Sequence, residues 1–164
     1  MTQGSVGTHG AHVAILFGSE SDRSTMDETA KVLDSFGIPH EMHHASAHRS
    51  PDKVREIVAS APGRGVRVFV AGAGMANHLA GTVAAHTTLP VIGVPLMGSA
   101  LAGADSLYAT VQMPPGVPVA TVAIGAPGAK NAAILAAQIL ALGDPSLQLK
   151  LEDLKARLAR GEKL

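Results

Sequence analysis

In the stretch Ser46-Ala47-His48-Arg49-Ser50-Pro51 a histidine stands next to an arginine. Imidazole is the side chain that exchanges a proton near neutral pH, and guanidinium offers the planar fork that phosphate recognition uses. Two further stretches carry polar groups between small residues. Gly18-Ser19-Glu20-Ser21-Asp22 would let a backbone approach a ligand at Gly18. Ser19 and the N–H groups of a following helix could then hold a phosphate, while Asp22 accepts from a sugar hydroxyl. Gly72-Ala73-Gly74-Met75-Ala76-Asn77-His78-Leu79-Ala80-Gly81 could clamp a flat ligand with its backbone, with Asn77 or His78 beside it. Each stretch also has a plainer reading. Ser19, Ser21 and Asp22 suit a turn and helix cap, His48-Arg49 suits a solvated surface, and the glycine-rich run suits a flexible helix start.

The elements around these stretches decide whether they can meet. His12–Phe17 (HVAILF) is a short apolar run ending at a glycine, the pattern of a buried parallel strand. Ser24–Phe36 reads as a helix capped by Ser24, stopped by Gly37, with Met26, Ala30, Leu33 and Phe36 inward. A second strand is expected over His40–Ala45. Ser50-Pro51-Asp52 then starts a helix with a capping hydroxyl, a proline in the first turn and an acid at the positive end of the dipole. Strands are expected at Val66–Ala71, Pro90–Pro95 and Val119–Ile124, and helices at Leu79–Thr88 and Ala129–Leu142. Gly98–Pro118 reads as a long, loop-like interface segment. Such alternation implies a parallel sheet with helices on both faces. Five strands favour a flavodoxin-like α/β sandwich over a TIM barrel, which needs eight. In such sheets ligands bind beyond the carboxyl ends of the strands, where all three polar stretches fall.

The chain has 164 residues, enough for one domain: a flexible tail over residues 1–11, a catalytic domain over 12–143, and an amphipathic helix over 144–164. The stripe of Leu147, Leu151, Leu154 and Leu158 must dock on the domain or on a neighbouring subunit. Hydrophobic residues make up 46% but aromatics only 2%, with no Trp, so the core is built from closely packed small aliphatic side chains. Alanine-rich helices often hide in subunit contacts, which hints at an oligomer. Thirteen basic and thirteen acidic residues cancel, and no basic stripe marks a nucleic-acid partner. No cysteine is present, which excludes disulfides, thiolate metal sites and a cysteine nucleophile. The first ten residues lack the pattern of a signal peptide. The longest apolar run, near Ala132–Leu142, is shorter than the roughly 20 residues of a membrane span. A soluble, cytoplasmic protein without a membrane partner is expected.

The remaining histidines carry less. His43 and His44 lie in or near a strand, His86 falls in a helix, and His9 and His12 are tail or strand-start residues. The spacing of His44 and His48 would suit metal ligands on a helix, but the segment does not read as helical and no metal is expected. Gly72-x-Gly74 lacks the third glycine of a dinucleotide fingerprint, Asn77 standing in its place.

GSESD at 18–22, SAHRSP at 46–51, GAGMANHLAG at 72–81, PVIGVP at 90–95, DSLYATVQMP at 105–114 and AKNAAILAAQIL at 129–140 occur in that order. Together they resemble the class I N5-carboxyaminoimidazole ribonucleotide mutases of microbial purine synthesis, from about His12 to Leu142. The resemblance implies a flavodoxin-like homo-octamer that needs no metal or organic cofactor. It implies transfer of a carboxylate from the exocyclic amine to carbon 4 of an aminoimidazole ribonucleotide, by decarboxylation and recarboxylation. By the same resemblance His48 is the general acid–base. Ser19, Asp22 and Arg49 hold the ribose phosphate, with Ser21 beside them in the substrate site. Ser46, Ala47, Gly74, Ala76, His78 and Leu79 line the carboxylate and CO2 pocket. The third stretch departs from the family's usual Gly-Gly-Ala-Ala-His-Leu-Pro-Gly at Met75, Asn77 and Ala80. Two alternatives remain: a carboxylase of the same superfamily using CO2 directly, and a non-enzymatic nucleotide-binding module. A receiver domain is disfavoured, because Ala71-Gly72 stands where its phosphoaccepting Asp would be.

Overall fold

The computed structural model describes residues 12–164; the tail expected over 1–11 lies outside them. Five parallel strands, β1 (Val13–Phe17), β2 (His40–His44), β3 (Val68–Ala73), β4 (Val91–Pro95) and β5 (Ala120–Thr121), form one sheet in the order β2-β1-β3-β4-β5. This is the flavodoxin-like order. Six helices accompany them: α1 (Arg23–Phe36), α2 (Pro51–Ser60), α3 (His78–Ala84), α4 (Ala104–Val111), α5 (Ala126–Ala141) and α6 (Pro145–Ala159).

Every residue of β1, β3 and β4 is buried, so these strands alternate between two cores instead of between core and water. Val13, Ile15, Phe17, Val68, Val70, Ile92 and Val94 point towards α1, α5 and α6. Ala14, Leu16, Phe69, Ala71 and Val91 point towards α2 and α3. β2 and β5 close the two edges. Among the described residues no helix is long and apolar enough to cross a membrane.

Gly37 ends α1 in the left-handed region at φ 68°, as the sequence predicts. The start differs. A 3-10 turn over Glu20–Asp22 leads directly into the helix, so Ser24 lies inside it and caps nothing. The buried face adds Thr29, whose hydroxyl donates to the Ala129 carbonyl at 2.9 Å. β2 stops at His44, and α3 begins at His78 and ends at Ala84, so His86 falls in the turn after it. β3 is displaced two residues from its expected position because Gly72 and Ala73 continue the ladder, paired with Phe17 and with Val94 and Pro95. β5 shrinks to two residues paired only with β4.

The expected loop over Gly98–Pro118 contains α4, with Ser106 and Thr110 as its buried face. α5 starts three residues earlier than expected. α6 ends at Ala159, with Leu147, Leu151 and Leu154 buried and Leu158 partly exposed; Asp144 caps it by accepting from the N–H groups of Ser146 and Leu147. The alanines of α5 are consumed internally. Ala129, Ala132, Ala133, Ala136 and Ala137 are fully buried against α1 and the sheet.

The same closeness governs Gly128. A Cβ there would land on the Ala123 carbonyl oxygen. Helix propensity alone would make Gly128→Ala stabilising by about 1 kcal/mol. The clash is with backbone, which cannot rotate away, so the substitution should instead destabilise by about 3 kcal/mol. Urea unfolding checks this, and a midpoint equal to or above wild type would contradict it.

Candidate active site

The strand order reverses beside β1, where the chain goes to β2 on one side and β3 on the other. A cleft of about 530 Å³ opens there, lined by residues that follow β1 (Gly18, Ser19, Ser21, Asp22), β2 (Ser46, Ala47, His48, Arg49), β3 (Gly74 to Leu79) and β4 (Gly98). This is where an open α/β sheet places its ligands. Every residue named from the sequence as a site candidate lines this one cleft. Gly98 and the bulk of Met75 also line it.

The loop after β2 is closed on itself. The Ser50 hydroxyl does not cap α2. It accepts from the Ser46 N–H at 3.0 Å and donates to the Ser46 carbonyl at 3.2 Å, while the Ser46 hydroxyl accepts from the Arg49 N–H at 3.3 Å. Three residues are thereby pinned between two serines, and His48 and Arg49 project from the knot in different directions. Arg49 Nη2 donates to the Gly18 carbonyl at 2.8 Å, and its Nε lies 3.4 Å from the Ser46 hydroxyl. This joins the first loop to the second. His48 Nε2 lies 2.6 Å from His78 Nδ1, with the rings edge-on at 72°. This joins the second loop to the third. Only one of the two facing nitrogens can hold a proton in this contact, so protonation at one imidazole sets the tautomer of the other.

Small residues permit the approach. A Cβ on Gly18 would come within 3.2 Å of Ala73 Cβ, and one on Gly74 within 3.3 Å of the Gly98 backbone and the Leu96 carbonyl. In the first loop the Ser21 hydroxyl donates to Ser19 Oγ at 2.9 Å. Asp22 is half-buried, and that burial pushes its carboxyl up from its ordinary value. A backbone hydrogen bond from Ser19 and the charges of Arg49 and His44 oppose the rise. His44 itself stays outside the cleft, stacked on Phe17 at 5.5 Å.

The third loop is held in an unusual shape. Met75 and Asn77 both have positive φ, 54° and 28°, a region that costs a side-chain-bearing residue roughly 1–2 kcal/mol. Asn77 precedes α3 but does not cap it. It is 3% exposed, and its Nδ2 donates to Thr110 Oγ1 on α4 at 2.6 Å. Its Oδ1 is buried without a partner, at a cost of about 1–3 kcal/mol. Sequence reasoning places Asn77 near a ligand and misses this bond. Ser106 and Thr110, spaced four apart between glycine-rich flanks, are the only trace of a helix face that could have revealed it.

A family model described as AIR carboxylase matches residues 12–161. The N5-carboxyaminoimidazole ribonucleotide mutase of Escherichia coli (strain K12) is 52% identical over 143 residues, spanning 87% of this chain and 85% of its own. A protein of the same name from Pyrococcus abyssi is 50% identical over 148 residues, spanning 90% and 84%. Among solved structures, Treponema denticola PurE superposes with a TM-score of 0.81 at 31% identity, covering 91% of this chain and 92% of that one. The matched span contains all four cleft-lining loops, and with about half of the aligned positions identical to the two mutases, the chain belongs to the AIR carboxylase family.

Proposed function

We propose that this protein is an N5-carboxyaminoimidazole ribonucleotide mutase of purine biosynthesis, with His48 as its proton carrier. The observation that carries the reading is the convergence of the loops after β1, β2 and β3 on one cleft that pairs an imidazole with a guanidinium, in a chain identical to proteins of that name at about half of the aligned positions. Arg49, Ser19, Ser21 and Asp22 form one end of the cleft and suit a ribose phosphate. There the guanidinium supplies charge-assisted hydrogen bonds and the carboxylate accepts from a sugar hydroxyl. Ser46, Ala47, Gly74, Ala76, His78 and Leu79 form the other end, where small side chains leave room for a carboxylate and for CO2.

The proton balance favours one carrier. Breaking the N–CO2 bond needs a proton on the exocyclic nitrogen, which protonated His48 donates. The ring carbon 4 of the resulting enamine then attacks CO2, forming the new C–C bond. The hydrogen left on that carbon must depart for aromaticity to return, and His48, now neutral, takes it. The imidazole ends as it began, and the net change is a carboxylate moved from nitrogen to carbon. No ATP is consumed. His78, 2.6 Å from His48, holds the ring and fixes which nitrogen faces the substrate. Anchoring the phosphate away from the reacting carbon supplies binding energy for orientation, and exclusion of water keeps CO2 from being lost.

The octamer and the cytoplasmic location belong to the same proposal. Met97, Leu101, Tyr108 and Val111 are all more than half exposed along the segment from Met97, beside the cleft residue Gly98, to the end of α4. Neighbouring copies would bury this apolar surface, and a light-scattering mass of a monomer would overturn the octamer.

Two outcomes test the site. Wild type should convert N5-carboxyaminoimidazole ribonucleotide to its carbon-4 isomer without ATP or bicarbonate. His48→Asn should lower kcat about 10²–10⁴-fold, the usual worth of a general acid–base; a loss below tenfold would remove His48 from that role. Asp22→Asn tests the phosphate end. A carboxyl whose folded value is raised contributes its stability below its ordinary value near 3.8 and loses it as pH rises through the folded value. The wild type therefore carries a disfavoured charge at pH 7. Asp22→Asn should raise Tm at pH 7 while raising KM, and the Tm difference should close towards pH 3.8. A lower Tm at pH 7 would contradict the assignment.

A further inference from the structure

We propose that Asn77, acting through Thr110 on α4, is a positioning residue that sets His78 against His48; the inference rests on the mutase reading for its kinetic consequence and on geometry for its structural one. Asn77 directly precedes His78 in the chain. Its conformation, φ 28° and ψ 55°, persists in a residue with a side chain only where the surroundings over-determine it. Those surroundings are a chain of hydrogen bonds. Asn77 Nδ2 donates to Thr110 Oγ1 at 2.6 Å, the Thr110 hydroxyl donates to the Ser106 carbonyl at 2.6 Å, and the Ser106 hydroxyl donates to the Leu96 carbonyl at 2.8 Å. Because the Thr110 proton is committed to Ser106, its oxygen must accept, which orients the Asn77 amide with its nitrogen towards α4.

An ordinary helix cap would explain an asparagine here, but no capping bond is made. Stability does not explain it either. The residue combines a left-handed backbone with a buried, unpartnered Oδ1, and alanine would relieve the second burden. What the side chain does accomplish is a fixed link between the turn that delivers His78 and the helix that follows β4. Ala80, in the first turn of α3, adds no backbone restriction of its own. The turn is also held by the Asn77 N–H bond to the Gly74 carbonyl at 3.1 Å and by a longer contact from Nδ2 to the Val94 carbonyl at 3.5 Å, but the tie to Thr110 is the short side-chain link behind the placement of the His78 ring 2.6 Å from His48.

Thr110→Val keeps the methyl that packs over Gly93 and removes the hydroxyl, losing both its acceptance from Asn77 and its donation to the Ser106 carbonyl. Asn77→Gly keeps a backbone suited to positive φ and removes the amide, with its bond to Thr110, its longer contact to the Val94 carbonyl at 3.5 Å and its unpartnered Oδ1. Both should lower kcat about tenfold or more, as misplacement of a reacting group does, with KM within about twofold. Combined, they should lose no more than the worse single variant, since both break the bond between Asn77 and Thr110. Thr110→Ser, which restores the hydroxyl, should recover most of the loss. Wild-type kcat in Asn77→Gly would show that only the backbone conformation matters and overturn the proposal, as would multiplicative losses in the double variant. If Thr110→Val does not fold, Asn77→Gly and Asn77→Ala carry the comparison. Crystal structures of wild type and Asn77→Gly separate this inference from the mutase reading. A His48–His78 distance unchanged in the variant refutes the positioning role, whereas inactivity of wild type with a lengthened distance in the variant refutes the reading alone.

Discussion

The contact between His48 and His78, with the neighbouring bond from Arg49 to the Gly18 carbonyl, is the constraint around which the rest of the molecule is arranged. Two adjacent side chains reach in different directions and fasten the second loop to the first and to the third. They can do so only because the Ser46–Ser50 knot fixes their origin and because the three strands run side by side and in parallel. Parallel pairing sends all their carboxyl ends to one edge. The reversal of strand order beside β1 then leaves a gap there that no helix fills.

That gap needs thin walls, and the composition supplies them. Gly18 lies against the Ala73 methyl, and Gly74 against Gly98 brings backbone against backbone at the cleft. The same economy of volume runs through the core, where the α5 alanines let that helix settle on α1 and the sheet. Dispersion between closely packed small groups replaces the bulk that aromatics usually supply. At the site the balance is reversed. The half-buried Asp22, the left-handed Met75 and the orphaned Asn77 oxygen each work against folding. Burdens of this kind persist where geometry is selected over stability.

Much of this was legible in the sequence, for identifiable reasons. HVAILF and PVIGVP are uninterrupted apolar runs, so they read as buried strands, and Gly37 marks its helix end through a conformation other residues resist. The three site-bearing loops could be placed because parallel-sheet geometry dictates where strand ends go. What escaped depends on tertiary competition. Ser24 and Ser50 look like caps, yet one lies within a helix and the other bonds to Ser46. Gly72 and Ala73 look like loop, yet two neighbouring strands hold them in the ladder. α4 is hidden between glycines, with its two inward hydroxyls spent on partners distant in sequence or on its own backbone. The bond between Asn77 and Thr110 joins residues 33 apart, and no local pattern announces it.

In the proposed reaction a proton and a carboxyl group change places on the same ring within one cleft. The most direct measurement is the fate of the carboxyl carbon. Substrate labelled with 13C in the N-carboxylate is turned over in a large excess of unlabelled bicarbonate, and the product is read by mass spectrometry. Retention of the label at carbon 4 is the result that the proposed mechanism predicts, in which CO2 released between Ala47, Gly74 and Ala76 would be recaptured before it escapes. Dilution of the label to the level of the surrounding pool would contradict the account and assign the protein to direct carboxylation from solution.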